Sequence, residues 1–149
     1  MRREITRWFT DKANHAYTCT QESATAEEKE TDVRLRSTAS DQEAVIELKI
    51  GDNGYSGKDL KDAIFNQLVT KYMAPESRRA GCFVVTIAVD RTWKHPETGA
   101  SLDADGLESM LKDEVARIQR VYPFSYRLAA KVLDLRPPLP IGRIGLAGN

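Results

Sequence analysis

TDVRLRSTASDQEAVIELKI, from Thr31 to Ile50, is the stretch whose reading decides the fold. Its two ends, Thr31–Arg36 and Ala44–Ile50, alternate apolar and polar residues with period two, as strands with one buried face do. The residues between them, Ser37–Glu43, are polar and turn-like. A turn symmetric about Ser40 and Asp41 predicts that Val33 faces Leu48 and Leu35 faces Ile46, on one apolar face. On the other face Asp32 is then opposite Lys49, with Glu47 diagonal to it. Opposite residues of an antiparallel pair sit about 5 Å apart at Cβ and diagonal ones about 7 Å. Two carboxylates and an ammonium therefore meet at one point, where they can hold a divalent metal and activate water. A slip of one residue would carry Asp32 to the wrong face.

The rest of the chain supplies a scaffold for such a hairpin. Ile5, Trp8 and Phe9 form one stripe of a helix over Arg3–Asn14, with Trp8 expected in the core. Ala16–Thr20 is β-prone and reads as a first strand. After the hairpin, Gly51–Tyr55 is a dense turn signal, and Ser56 with Asp59 caps a helix. That helix runs to about Met73, carries Leu60, Ile64, Leu68 and Tyr72 on one face, and stops before Pro75. The apolar run Gly81–Val89 is a strand covered on both faces. Asp90–Ala104, with Trp93, reads as an exposed loop. Asp105 and Glu108 are expected to cap a further helix striped by Leu107, Leu111, Val115, Ile118 and Tyr122. Pro123 ends it, and Tyr126–Leu135 is a last strand. The predicted class is α/β: a mixed sheet flanked by helices, with the helix that joins the hairpin to the apolar strand making a parallel crossover. Residues 1–136 read as a single domain and 137–149 as a Pro/Gly-rich tail.

Composition narrows the functions. The 149 residues suit one domain with a proper core. Lys plus Arg equals Asp plus Glu, at 22 each, so any nucleic acid must be met by a local patch and not by the overall field. Two cysteines, Cys19 and Cys82, and no secretory signal point to reduced, buried thiols in a cytoplasmic protein. No apolar run has membrane-spanning length. His15 and His95 lack neighbours at zinc-ligand spacing.

Among the polar residues, Asp32 and Glu47 are hard oxygen ligands of the kind Mg²⁺ prefers. Lys49 projects from the same strand face as Glu47 and can orient the attacking water or stabilise charge on a phosphate. The Leu48 carbonyl can add a metal ligand, and Glu22, ending the first strand, can supply a third carboxylate. Gln67 lies beside the apolar stripe of its helix, where it either bonds backbone or points to the site. Arg34 and Arg36 share the face of Asp32 and can meet phosphates, although solvated strand charges are commoner.

With Thr31-Asp32, Glu47-Leu48-Lys49 and Asn66-Gln67-Leu68 in these places, the chain resembles the PD-(D/E)xK nuclease superfamily over roughly Arg3–Val89. Thr31 stands where the motif has proline. The resemblance implies a restriction-endonuclease-like αβββαβ core, extended here by a C-terminal helix and strand. It also implies hydrolysis of phosphodiesters with Mg²⁺ or Mn²⁺, and a catalytic part for Gln67 beside Asp32, Glu47 and Lys49. The expected substrate is nucleic acid, DNA in the first instance, delivered by a local groove, a homodimer or a larger multi-domain protein. The alternative is the same fold as a non-catalytic nucleic-acid-binding or assembly module.

Overall fold

In the computed structural model, residues 2–21 and 32–138 are described, with only the backbone of Arg2 and Asp32. Glu22 and all but the first two residues of the 137–149 tail lie outside the described residues. Helix α1 (Arg2–Lys12) leads into strands β1 (Tyr17–Gln21), β2 (Asp32–Ser37) and β3 (Glu43–Ile50). Helix α2 (Gly57–Ala63) continues directly as a π-helix, Ile64–Tyr72, before strand β4 (Arg78–Ile87). A short pair, β5 (Trp93–Lys94) and β6 (Ser101–Leu102), precedes helix α3 (Ala104–Val121) and strand β7 (Arg127–Asp134). The main sheet has the order β1-β2-β3-β4-β7. Its β1-β2-β3 part is antiparallel, and β3-β4 and β4-β7 are parallel. The chain is thus a mixed α/β protein with a five-stranded mixed sheet and helices on both faces.

Period-two patterning divides the core as the sequence predicts. Val33, Ile46, Leu48 and Val84 form a cluster on one face, against Ile5 and Phe9 of α1. On the other face Val45, Phe83, Val85, Leu128 and Val132 pack with Leu60, Ile64, Leu68 and the stripe of α3.

The hairpin register differs from the expected one by two residues: Asp32 is opposite Glu47, Val33 opposite Ile46 and Leu35 opposite Ala44. The turn is tighter on its β2 side, where Ser37 N–H donates to the Gln42 carbonyl at 2.9 Å. The Ser37 and Ser40 hydroxyls accept from Ala39 N–H and Gln42 N–H, and the Thr38 hydroxyl donates to the His15 carbonyl. Such local hydroxyl bonds move the turn centre one residue earlier. An even shift keeps every side chain on its face.

Five further expectations are corrected. The second helix is not α-helical to Met73: its last nine residues are π-helical, closed by Met73 N–H to the Leu68 carbonyl at 2.9 Å. Asp103, not Asp105, caps α3, accepting from Gly106 N–H at 2.8 Å. Trp93 is 3% exposed in β5, within the core and not on a loop surface. Trp8 is 56% exposed because α1 lies toward the β1 edge; it borders an apolar groove of about 760 Å³ with Ile5, Phe9, Val84 and Leu133. Tyr122 is also exposed, at 40%, and stacks on Phe65.

The Ser56–Asp59 capping box forms as predicted. Beside it Gly57 permits β5 to dock: a Cβ there would lie 2.3 Å from the Lys94 carbonyl oxygen. Backbone cannot yield as a side-chain tip does, so Gly57→Ala is expected to destabilise by about 1–3 kcal/mol, read as a lower denaturant midpoint with unchanged slope. Glu108, freed from capping, instead ties α3 to β7. It accepts from Lys112 Nζ at 2.5 Å, Val132 N–H at 2.9 Å and Lys131 Nζ at 3.2 Å. These bonds, the Lys112 one foremost, hold its pKa at about 2 instead of 4.5. A depressed carboxyl stabilises above its unfolded pKa, and that contribution fades as pH falls through the folded value. Stability should therefore drop between pH 4.5 and about 2, and Glu108→Gln should flatten that acid limb in pH-dependent urea melts.

Candidate active site

Strand β3 places Glu47 and Lys49 two residues apart, hence on one face, which is the face covered by α2 and the π-helix. Parallel pairing with Phe83 and Val85 of β4 buries both: Glu47 is 0% and Lys49 1% exposed. Their charges meet directly, Lys49 Nζ lying 3.0 Å from Glu47 Oε1. Asp32, the first residue of β2, occupies the register position across from Glu47, closer than the predicted diagonal. The two carboxylate residues are therefore direct cross-strand neighbours.

Burial of this pair is costly. Each desolvated ion carries a penalty of several kcal/mol, and apolar residues of similar volume would hold a core at least as well. Charges kept in such a place mark a functional-site candidate.

Lys49 opens onto a hollow of about 480 Å³, lined also by Tyr55, Asp59, Asp62, Asn66 and Gln67. Gln67 thus joins Lys49, and its Oε1 is buried with no hydrogen-bond donor among the described residues. Gln67 lies within the π-helix, and π-helical segments are frequent at functional sites.

Tyr55 is a component that the sequence reading took only as part of a turn. Its ring centroid is 5.5 Å from Lys49 Nζ, within cation–π range. Arg91 holds the turn in place, donating to the Gly51 carbonyl at 2.7 Å and the Tyr55 carbonyl at 2.8 Å. Asp52 adds an anchor, accepting from Ala88 N–H at 2.9 Å. The only sequence signal was an aromatic residue six positions after Lys49 in a Gly-rich turn.

Of the other candidates, Leu48 offers the site its backbone alone and the two arginines stand apart. Leu48 turns its side chain to the α1 face, and the described β2–β3 ladder ends beside it at Asp32–Glu47. Arg34 and Arg36 lie about 7 and 13 Å along β2 from Asp32, at strand rise. Arg34 Nε is 3.8 Å from Glu43 Oε2, the oxygen that Arg78 Nε holds at 2.7 Å. Burial, and then the nearby Arg78 charge, lower the Arg34 pKa, with Glu43 opposing them.

Two carboxylates form a sparse donor set, and among the described residues no three His, Cys, Asp or Glu side chains gather. Mg²⁺ needs no more than one or two carboxylates, the rest being water and phosphate oxygen. A buried carboxylate, a cross-strand aspartate position and an amide oxygen without a donor are all oxygen donors, so the residues fit such an ion. Among the described residues no helix is long and apolar enough to cross a membrane. No family model, curated protein or solved structure matched the chain.

Proposed function

We propose that this protein is a metal-dependent nuclease with a restriction-endonuclease-like fold, hydrolysing phosphodiesters of DNA. The observation that carries the reading is the buried Glu47–Lys49 pair with Asp32 directly across from Glu47. Element order supports it as well, since αβββαβ is the core the resemblance implies.

In this reading Asp32, Glu47 and the Leu48 carbonyl would hold Mg²⁺ or Mn²⁺. When bound, the ion would supply Lewis-acid charge at the phosphate and ease deprotonation of water. Lys49 keeps a fixed positive charge against the reacting phosphate, where negative charge grows as the pentavalent state forms. Gln67 Oε1 accepts a hydrogen bond from the attacking water and orients it. Tyr55 limits where the Lys49 ammonium can sit. Water adds to phosphorus as the bond to the 3′ oxygen breaks, and that oxygen leaves with a proton as a hydroxyl.

Cleavage of plasmid, linear duplex, single-stranded DNA and RNA, each with Mg²⁺, Mn²⁺ or EDTA, tests this. Cutting of DNA that needs the metal and disappears in Asp32→Ala and Lys49→Ala is the expected result. No cutting of any substrate, with no calorimetric heat of Mn²⁺ binding, would overturn it and favour a non-catalytic module.

A further inference from the structure

Exposed aromatic side chains gather between α3 and β7, at the end of the sheet where β4 and β7 begin. Phe124 is 100% exposed, and Val121 and Tyr122 beside it are exposed as well. Ser125 N–H donates to the Tyr122 carbonyl at 3.2 Å, closing a turn with Pro123 and Phe124 at its tip. Proline fixes the backbone at the second turn position, so Phe124 is held outward before any partner arrives. Behind it the rings form a ladder. Phe65 stacks on Tyr122 at 6.2 Å, and Tyr122 meets Tyr126 edge-on at 6.0 Å. The Arg79 guanidinium lies 5.7 Å from the Tyr126 ring. Phe124 and Arg127 also border a hollow of about 640 Å³ with Tyr17, Leu35 and Ala80. Residues 22–31 and 139–149 join the strands at their other ends, next to Gln21 and Asp32 and beyond Asp134.

We infer that this turn and ladder dock an acidic segment of another protein through one apolar anchor side chain. The inference stands apart from the nuclease reading. Contiguous exposed apolar surface with a polar rim marks interaction sites, and Tyr, Phe and Arg are enriched in them. Charge selects the sign of the partner. Arg79, Arg120 and Arg127 have no carboxylate partner among the described residues, whereas Arg117 is held by Glu114. Glu43 is the one carboxylate lining the hollow among the described residues, and Arg34 and Arg78 share its oxygen. Two other occupants fit worse. Bases stack on open ring faces, but Tyr122 is faced by Phe65 and Tyr126 by Arg79. A second copy packed face to face would set Arg79 and Arg127 against their own duplicates. In the complex a Leu, Phe or Trp of the partner fills the hollow beside Phe124, and its carboxylates meet Arg127 and Arg79.

The test is selection from a phage-displayed random peptide library on the immobilised full chain, followed by fluorescence polarisation of the enriched peptides. These should share one Leu, Phe or Trp among Asp and Glu, and bind more weakly as salt rises. Phe124→Ala and Arg127→Glu should each weaken binding about tenfold or more. Lys94→Glu, an equal charge change on exposed β5, should leave it unchanged. Phe124 touches little of its own chain, so its variant should keep the wild-type denaturant midpoint. No enrichment, enrichment of peptides without acidic residues, binding that survives both variants, or equal weakening in Lys94→Glu would each overturn the inference. So would a Phe124-dependent dimer in sedimentation, or Phe124-dependent binding of a short oligothymidylate. Those results would assign the surface to a second copy or to nucleic acid.

Discussion

Alanine at Asp32 or Lys49 is expected to lower metal-dependent DNA cleavage about 10³-fold. Each substitution removes one charged group from the reacting phosphate: an oxygen ligand of the ion in the first case, a fixed ammonium in the second. Lewis-acid and charge stabilisation are worth several kcal/mol in a water-poor site, and each 1.36 kcal/mol is a decade in rate. The two variants should separate in metal titrations. Asp32→Ala should bind Mn²⁺ weakly, whereas Lys49→Ala should keep Mn²⁺ binding and still fail to cut. Cleavage that survives in both variants would mean that another site does the chemistry. Gln67→Ala should fall less, because it orients water without carrying charge.

Breaking the buried pair from one side should destabilise the fold by about 3–5 kcal/mol, since Lys49→Met takes the Lys49 ammonium away from a carboxylate with 0% exposure. For a domain of this length that is a fall in Tm of about 10 °C or more. The double variant Glu47→Leu/Lys49→Met should recover the loss, and could exceed wild type by about 1–4 kcal/mol, because apolar neighbours such as Leu60, Phe83 and Val85 surround the position. It should also be inert in every cleavage assay. A double variant as unstable as the single one would mean that the pair is structural, and that its burial is no argument for catalysis. Differential scanning calorimetry in EDTA measures both variants without contribution from bound metal.

Much of this was legible from residue patterns because the physics is local. The alternation in Val33–Leu35 and Ala44–Ile50 required a strand pair with Asp32, Glu47 and Lys49 on one face, and that face assignment survived a register error of two residues. The stripes Leu60–Ile64–Leu68 and Leu107–Leu111–Val115–Ile118 named the core faces of the second and third helices. What failed was read from signals that compete. Asp103, Asp105 and Glu108 all suit a helix start, and only the approach of β7 decides that Glu108 bonds Val132 N–H instead of capping. Trp8 and Trp93 are equally apolar, yet one is exposed and the other buried. Their burial depends on which element happens to lie above them.

By itself, then, the amino-acid order determined the strands, the helices, which side of each faces inward, and the identity of the charged residues on the inner face of β3. Side-chain period and turn chemistry act over a few residues, so they can be read without knowing the fold. Tertiary structure alone decided that Asp32 stands directly across from Glu47 and that Gln67 and Tyr55 both close on Lys49. It alone also set Arg34 and Arg78 on one oxygen of Glu43. Those relations join residues distant in the chain, and they are set by hydroxyl bonds in a turn, a π-helical run and the reach of Arg91, none of which has a period to read.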